Sequence, residues 1–158
     1  MGLHLAGTND VEATMSATGL EVFDTTLQKT NIWLKEIGDE LGPDRQRSYQ
    51  ALRAVLHTVR DRLTVDQAAH LGSQLPMLVR GIYFEGWHPA ANPEKVRREE
   101  FVSAIADKMQ NARPIDPEAA GRVVLAVLTR HVEPGEVDHV REALPEAIRT
   151  LWAVKKAA

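Results

Sequence analysis

From Glu21 onward the apolar positions recur at helical intervals. Phe23, Leu27, Leu34, Ile37 and Leu41 are spaced by threes, fours and a seven, and Gly42-Pro43 then supplies a helix stop and a breaker. A second run, from about residue 44 to 63, carries Tyr49, Leu52, Leu56, Val59 and Leu63 on one face. Thr64-Val65-Asp66-Gln67 has the Thr-x-x-Gln form of a capping box and opens a third helix with the stripe Ala68, Leu71, Leu75, Leu78 and Ile82. Asn92-Pro93-Glu94 and Asp116-Pro117-Glu118 each set a capping side chain before a proline suited to the first helical position. They predict a fourth helix with Phe101, Val102, Ile105 and Met109 inward, and a fifth with Val124, Leu125, Leu128 and Val132 inward. The sixth starts near Glu133-Pro134-Gly135-Glu136 and presents Val137, Val140, Leu144, Ile148 and Leu151, ending at Trp152. Nothing alternates with period two over a useful length, so the fold class is all-α with six main helices.

Sliding the chain along itself by 69 residues, which sets Ala51 on Ala120, exposes an internal repeat. Arg53, Val55, Leu56, Leu75, Pro76 and Arg80 then fall on Arg122, Val124, Leu125, Leu144, Pro145 and Arg149. A shift of 68, setting Trp33 on Phe101, aligns helix one with helix four. Amphipathic helices align somewhat by chance, but a mid-helix proline costs about 3 kcal/mol and is rare, so Pro76 and Pro145 in one register favour duplication. The reading is two related three-helix units, over about 21–89 and 92–156, within a single all-α domain spanning 21–158. The third helix of each is kinked or broken at its Leu-Pro, near residues 72–76 and 141–145.

The run Ala51-Leu52-Arg53-Ala54-Val55-Leu56-His57-Thr58-Val59-Arg60-Asp61-Arg62-Leu63, with Ala68-Ala69-His70-Leu71 and residues 74–89, resembles the bacterial family catalogued as domain of unknown function 2267. Gly135-Glu136 and Leu144-Pro145 are similar to that family's second half, so the resemblance covers roughly residues 23–152. It implies a small helical bacterial protein with no assigned activity, and it offers no catalytic residues to carry over.

Composition narrows the function classes. With 19 Lys and Arg against 22 Asp and Glu the net charge is −3, so no global field draws the chain to nucleic acid or to an anionic membrane. The absence of cysteine excludes disulfides, thiolate metal sites and a cysteine nucleophile, and suits a cytoplasmic location. No apolar run approaches the ~18 residues of a membrane span. Residues 1–20 are small and polar and read as a flexible N-terminal segment.

Candidate chemistry is sparse. Glu136-x-x-His139, near His131 and Glu133, has the spacing of a carboxylate-bridged metal helix, but its counterparts in the first unit are Gln67 and His70, which lack the second Glu. No metal, cofactor or catalytic residue is assigned. Ser48, Ser73 and Ser103 lack an activating base or a Gly-x-Ser-x-Gly setting. Arg53, His57 and Arg60 form a basic face on helix two that could meet phosphates, although Asp44 and Asp61 dilute it, and nucleic acid is disfavoured as a partner. Arg53 with Arg122, and Arg80 with Arg149, read as paired structural features that bond the carbonyls freed at each proline or reach carboxylates between units.

The remaining feature is the aromatic tail of helix three. Tyr83, Phe84 and Trp87 either fold back as a plug over the junction, with Gly86 ending the helix left-handed and Pro89 preventing its resumption, or stand as an exposed anchor. In the second case Tyr83, Phe84, Glu85, Trp87 and His88 are the candidate partner-binding residues. The sequence thus reads as a non-catalytic protein-interaction or adaptor module whose partner is protein, self-association included. The alternatives are a small-molecule or metal-binding helical enzyme using the groove between units, and a weak nucleic-acid binder through Arg53 and Arg60.

Overall fold

The computed structural model describes residues 17–93, 98–109 and 115–152, and all regular structure among them is helical. Helix α1 spans Glu21–Leu41 and ends at Gly42, whose φ of 112° lies outside the range most side chains adopt. Asp44 caps α2, Arg45–Arg62, by accepting from the Gln46 and Arg47 amides at 3.0 and 3.3 Å. Helix α3, Val65–Ser73, opens on the reciprocal Thr64–Gln67 capping box. Helix α4 is Met77–Phe84, and a 3₁₀ turn follows at Pro89–Ala91. Helix α5 is Arg98–Lys108; α6, Pro117–His131, is capped by Asp116; α7 is Pro134–Ala143; α8 is the single turn Glu146–Arg149.

Helix α2 is the central rod, packed against α1, α4, α5 and α6. Leu52, Val55, Leu56 and Val59 are fully buried there and join Trp33, Ile37, Phe101, Ile105, Leu125, Ile148 and Trp152 in one core cluster. Being enclosed on most sides, α2 buries His57, Thr58, Arg60 and Arg62 as well as its apolar stripe.

At both Leu-Pro pairs the expected kink or break is a full break, and other expectations are corrected. The third and sixth predicted helices are each two helices, giving eight α-helices among the described residues. Pro76 and Pro145 occupy N-cap positions, with φ −55° and ψ 150° and 148°. An N-cap has no intrahelical N–H bond to lose, so the mid-helix penalty of about 3 kcal/mol does not arise. The break also resets the phase of the buried face: Val79 and Tyr83 are buried, whereas Leu78 is 39% exposed. In α1, Phe23 and Leu27 are 46% and 37% exposed, because the buried apolar residues of that helix, Trp33 and Ile37, both lie in its second half.

Asn92 also serves a helix that lies before it in the chain. Its amide donates to the Arg60 and Leu63 carbonyls at 2.7 and 2.9 Å, closing the C-terminal end of α2. The start predicted for the fourth helix beyond Pro93 lies outside the described residues, as do residues 1–16 of the N-terminal segment. No helix among the described residues is long and apolar enough to cross a membrane.

Candidate functional site

Three places gather polar or exposed apolar groups. The first is the C-terminal end of α4, where successive carbonyls run out of helical partners. Two α2 side chains, His57 and Arg60, supply them, and a third, Arg53, holds the Glu85 carboxylate one turn away. His57 Nε2 lies 2.6 Å from the Ile82 carbonyl, and Arg60 Nη1 donates to the Tyr83 and Glu85 carbonyls at 2.8 and 3.0 Å. Arg53 donates through Nε and Nη2 to the Glu85 carboxylate at 3.1 and 2.9 Å. The two arginines also oppose the negative end of the α4 dipole. The basic face read on helix two is therefore turned onto the protein itself: His57 and Arg60 are both 4% exposed, and no exposed positive strip runs through Arg53 and Arg60.

The aromatic tail packs against the same end. Tyr83 is fully buried and its hydroxyl donates to the Ala68 carbonyl at 2.8 Å; burial also pushes its phenol pKa well above the ordinary value. Phe84 meets Tyr83 edge-on and Trp87 at a tilt, and the Trp87 indole N–H donates to Asn92 at 3.0 Å. Gly86, at φ 70°, turns the chain after α4. Of the candidate anchor residues, Tyr83 is inaccessible, Phe84 and Trp87 are half-buried, and Glu85 and His88 are exposed. Arg80 serves the break before α4, donating to the Gly72 and Leu75 carbonyls at 3.0 and 2.9 Å. Arg149 does not repeat that geometry: its Nε is buried without a hydrogen-bond partner among the described residues. Arg122 pairs with Glu118 on its own helix.

The second place is a cleft of about 620 Å³ between α3 and α7, lined by Asp66, Gln67, His70, Glu136, His139 and Glu142. His70 Nδ1 touches the Glu136 carboxylate, which is almost wholly buried. The sequence offset that aligns the two Leu-Pro breaks also aligns Gln67 and His70 with Glu136 and His139, and all four line this cleft. Among the described residues no set of three His, Asp or Glu side chains is placed to hold a metal ion.

The third is a groove of about 1020 Å³ between α1 and the α3–α4 turn. Leu20, Val22, Ile32 and Met77 stand on its walls, between 49% and 53% exposed, while Trp33 and Leu75 are buried at its base. The Leu78 amide donates to Thr26 Oγ1 at 2.8 Å, which ties the first turn of α4 to α1 and holds the walls at a set separation. Glu21, Lys29 and Arg80 supply charge, and His131 closes one end, stacked on Trp33 at 5.2 Å with its Nε2 2.6 Å from Glu36. Half-exposed aliphatic walls of this kind offer apolar contact area. Sequence reasoning passed over this surface, although Val22 and Ile32 are apolar residues that fall off the predicted stripe of their helix.

A family model described as an uncharacterized conserved protein (DUF2267) matches residues 30–151. The first turns of α1, with Val22 and Lys29, lie before the matched span. No curated protein matches the chain.

Proposed function

This chain belongs to the DUF2267 family of uncharacterized conserved proteins, and we propose that it is a non-catalytic interaction module built from a duplicated three-helix unit. The duplication is supported by features that repeat under the 69-residue offset. Pro76 and Pro145 cap the same break with matching backbone angles. Tyr83 and Trp152 are both fully packed, and each spends its one polar hydrogen inside its own half, on the Ala68 carbonyl and on Thr129 Oγ1. The equivalent helices α3 and α7 face each other across the His70–Glu136 cleft.

The observation that carries the interaction reading is the groove between α1 and the α3–α4 turn. Large apolar side chains at half exposure, gathered on a surface whose walls are cross-linked by a hydrogen bond, lose free energy to water that a partner's apolar side chains recover.

A photo-crosslinking amino acid at Ile32, introduced in the native host, tests the reading. The expected result is one discrete adduct that disappears when Met77→Glu is added. The same adducts from a crosslinker at exposed Gln46 on α2, or none at all, would overturn it.

A further inference from the structure

We propose that the cleft between α3 and α7 binds a small aliphatic amine, whose ammonium group is received by the Glu136 carboxylate. This site is separate from the groove on α1 and stands independently of the interaction reading. Its lining combines Asp66, Glu136 and Glu142 with His70 and His139, and includes no lysine or arginine among the described residues. Asp66 and Glu142 are exposed, where water and salt screen them. Glu136 differs: its side chain is 5% exposed, and its Oε2 has no hydrogen-bond partner among the described residues. His70 Nδ1 touches that oxygen from the opposite wall, without the alignment of a hydrogen bond, so the carboxylate is aimed across the cleft. A buried anion left without a donor is costly, and a cation entering beside it removes that cost.

The helix start does not force this orientation. Gln67 is the third residue of α3, and its side chain turns back to accept from the Thr64 amide at 3.0 Å. Glu136 is the third residue of α7 and falls on Gln67 under the 69-residue offset, yet no capping box closes α7. The carboxylate faces the cleft instead. The rest of the lining sets the ligand class. A volume of about 620 Å³ suits a small molecule, and Val140 and Ala143 give it an aliphatic wall. An ammonium brings three hydrogens to acceptors, whereas a metal ion needs a ligand set that no three His, Asp or Glu side chains supply among the described residues. Asp66 and Glu142 stand where they can meet a second ammonium, so a diamine fits better than a monoamine.

Calorimetric titration of the full chain with 1,5-diaminopentane tests the proposal. Binding is expected at about 1 mM or tighter, with 1-pentanol inert. Glu136→Gln, nearly the same in shape, is expected to weaken the diamine by about tenfold or more, whereas Glu21→Gln in the α1 groove leaves it unchanged. Saturating diamine is expected to raise the melting temperature of the wild type and not that of Glu136→Gln. Glu142 is exposed, so Glu142→Lys carries the test even where Glu136→Gln disturbs folding, and it too is expected to weaken the diamine about tenfold. No heat of binding up to ~20 mM diamine, or equal affinity in the wild type and both cleft variants, overturns the proposal. A response to zinc chloride with none to the diamine overturns it in favour of a metal site, and equal binding of 1-pentanol reduces the cleft to an apolar pocket.

Discussion

Arg60 donates to the carbonyl of Tyr83 at 2.8 Å from a guanidinium almost wholly removed from solvent, so the end of α4 is closed by a side chain of α2. The same group also serves the Glu85 carbonyl and the Asp61 carboxylate. Replacing it with Met preserves most of the buried stem and leaves two carbonyls and one carboxylate without their donor. The expected loss is about 3 kcal/mol, or roughly 6–12 °C in melting temperature for a chain of this size. A calorimetric melt within 2 °C of wild type would show that the cap is dispensable.

Arg80→Met and Arg149→Met are expected to differ, although the two positions correspond under the 69-residue offset. Arg80 loses hydrogen bonds to the Gly72 and Leu75 carbonyls, which the break at Pro76 has deprived of helical partners. A cost of about 1–2 kcal/mol follows, several degrees of melting temperature. Arg149 Nε has no partner to lose among the described residues, so its replacement is expected to cost less. Equal shifts in the two melts would contradict this.

His57 makes part of the stability depend on pH. Burial lowers its pKa below the ordinary 6.5, and Arg60 and Arg53 push the same way against the Ile82 hydrogen bond, which raises it. Because a carbonyl only accepts, the neutral imidazole donates from Nε2. The unfolded chain binds a proton first as pH falls, so this contribution is intact above ~6.5 and is lost progressively below it, until the folded imidazole also protonates. His57→Gln, whose amide still donates, is expected to flatten that acid limb of the melting profile. Parallel wild-type and variant profiles between pH ~7.5 and ~5.5 would refute the assignment.

Gly72 is held free of a side chain by the aromatic tail. A Cβ there would lie 2.6 Å from Cε2 of Phe84 and 3.2 Å from the Tyr83 ring. Alanine gains up to about 1 kcal/mol of helix propensity, but overpacking costs about 1–3 kcal/mol where the ring cannot move aside. Phe84 is wedged between Tyr83 and Trp87, so a net loss is expected for Gly72→Ala, relieved when Phe84→Leu is added. A rise in melting temperature for the single variant would mean that the ring swings freely.

Much of the fold was legible locally, and particular residues show why. Thr64 with Gln67, Asp44, and Asp116 before Pro117 are caps whose whole geometry spans a few residues, and each starts its helix where expected. Gly86 ends α4 left-handed for the same reason. The surface read as a candidate site fared differently. Tyr83 and Trp87 were legible as unusual, but whether they face inward depends on Ala68 and Asn92, which fold onto them from other segments. The groove escaped notice because exposure of Val22 and Ile32 is set by what does not pack on α1, and no periodicity encodes a missing neighbour.

The amino-acid sequence by itself determined the all-helical class, the starts of most helices, the breaks at both Leu-Pro pairs and the apolar stripe of α2. These depend on backbone propensities and on side chains within one or two turns of each other. Only the tertiary structure decided that Arg53, His57 and Arg60 turn inward, that Asn92 closes α2, and that the face beyond Pro76 buries Val79 and Tyr83 instead of Leu78. Each of those outcomes satisfies a carbonyl or carboxylate or fills a core position in a distant segment, after a break that resets the helical phase, and a local pattern carries no information across it.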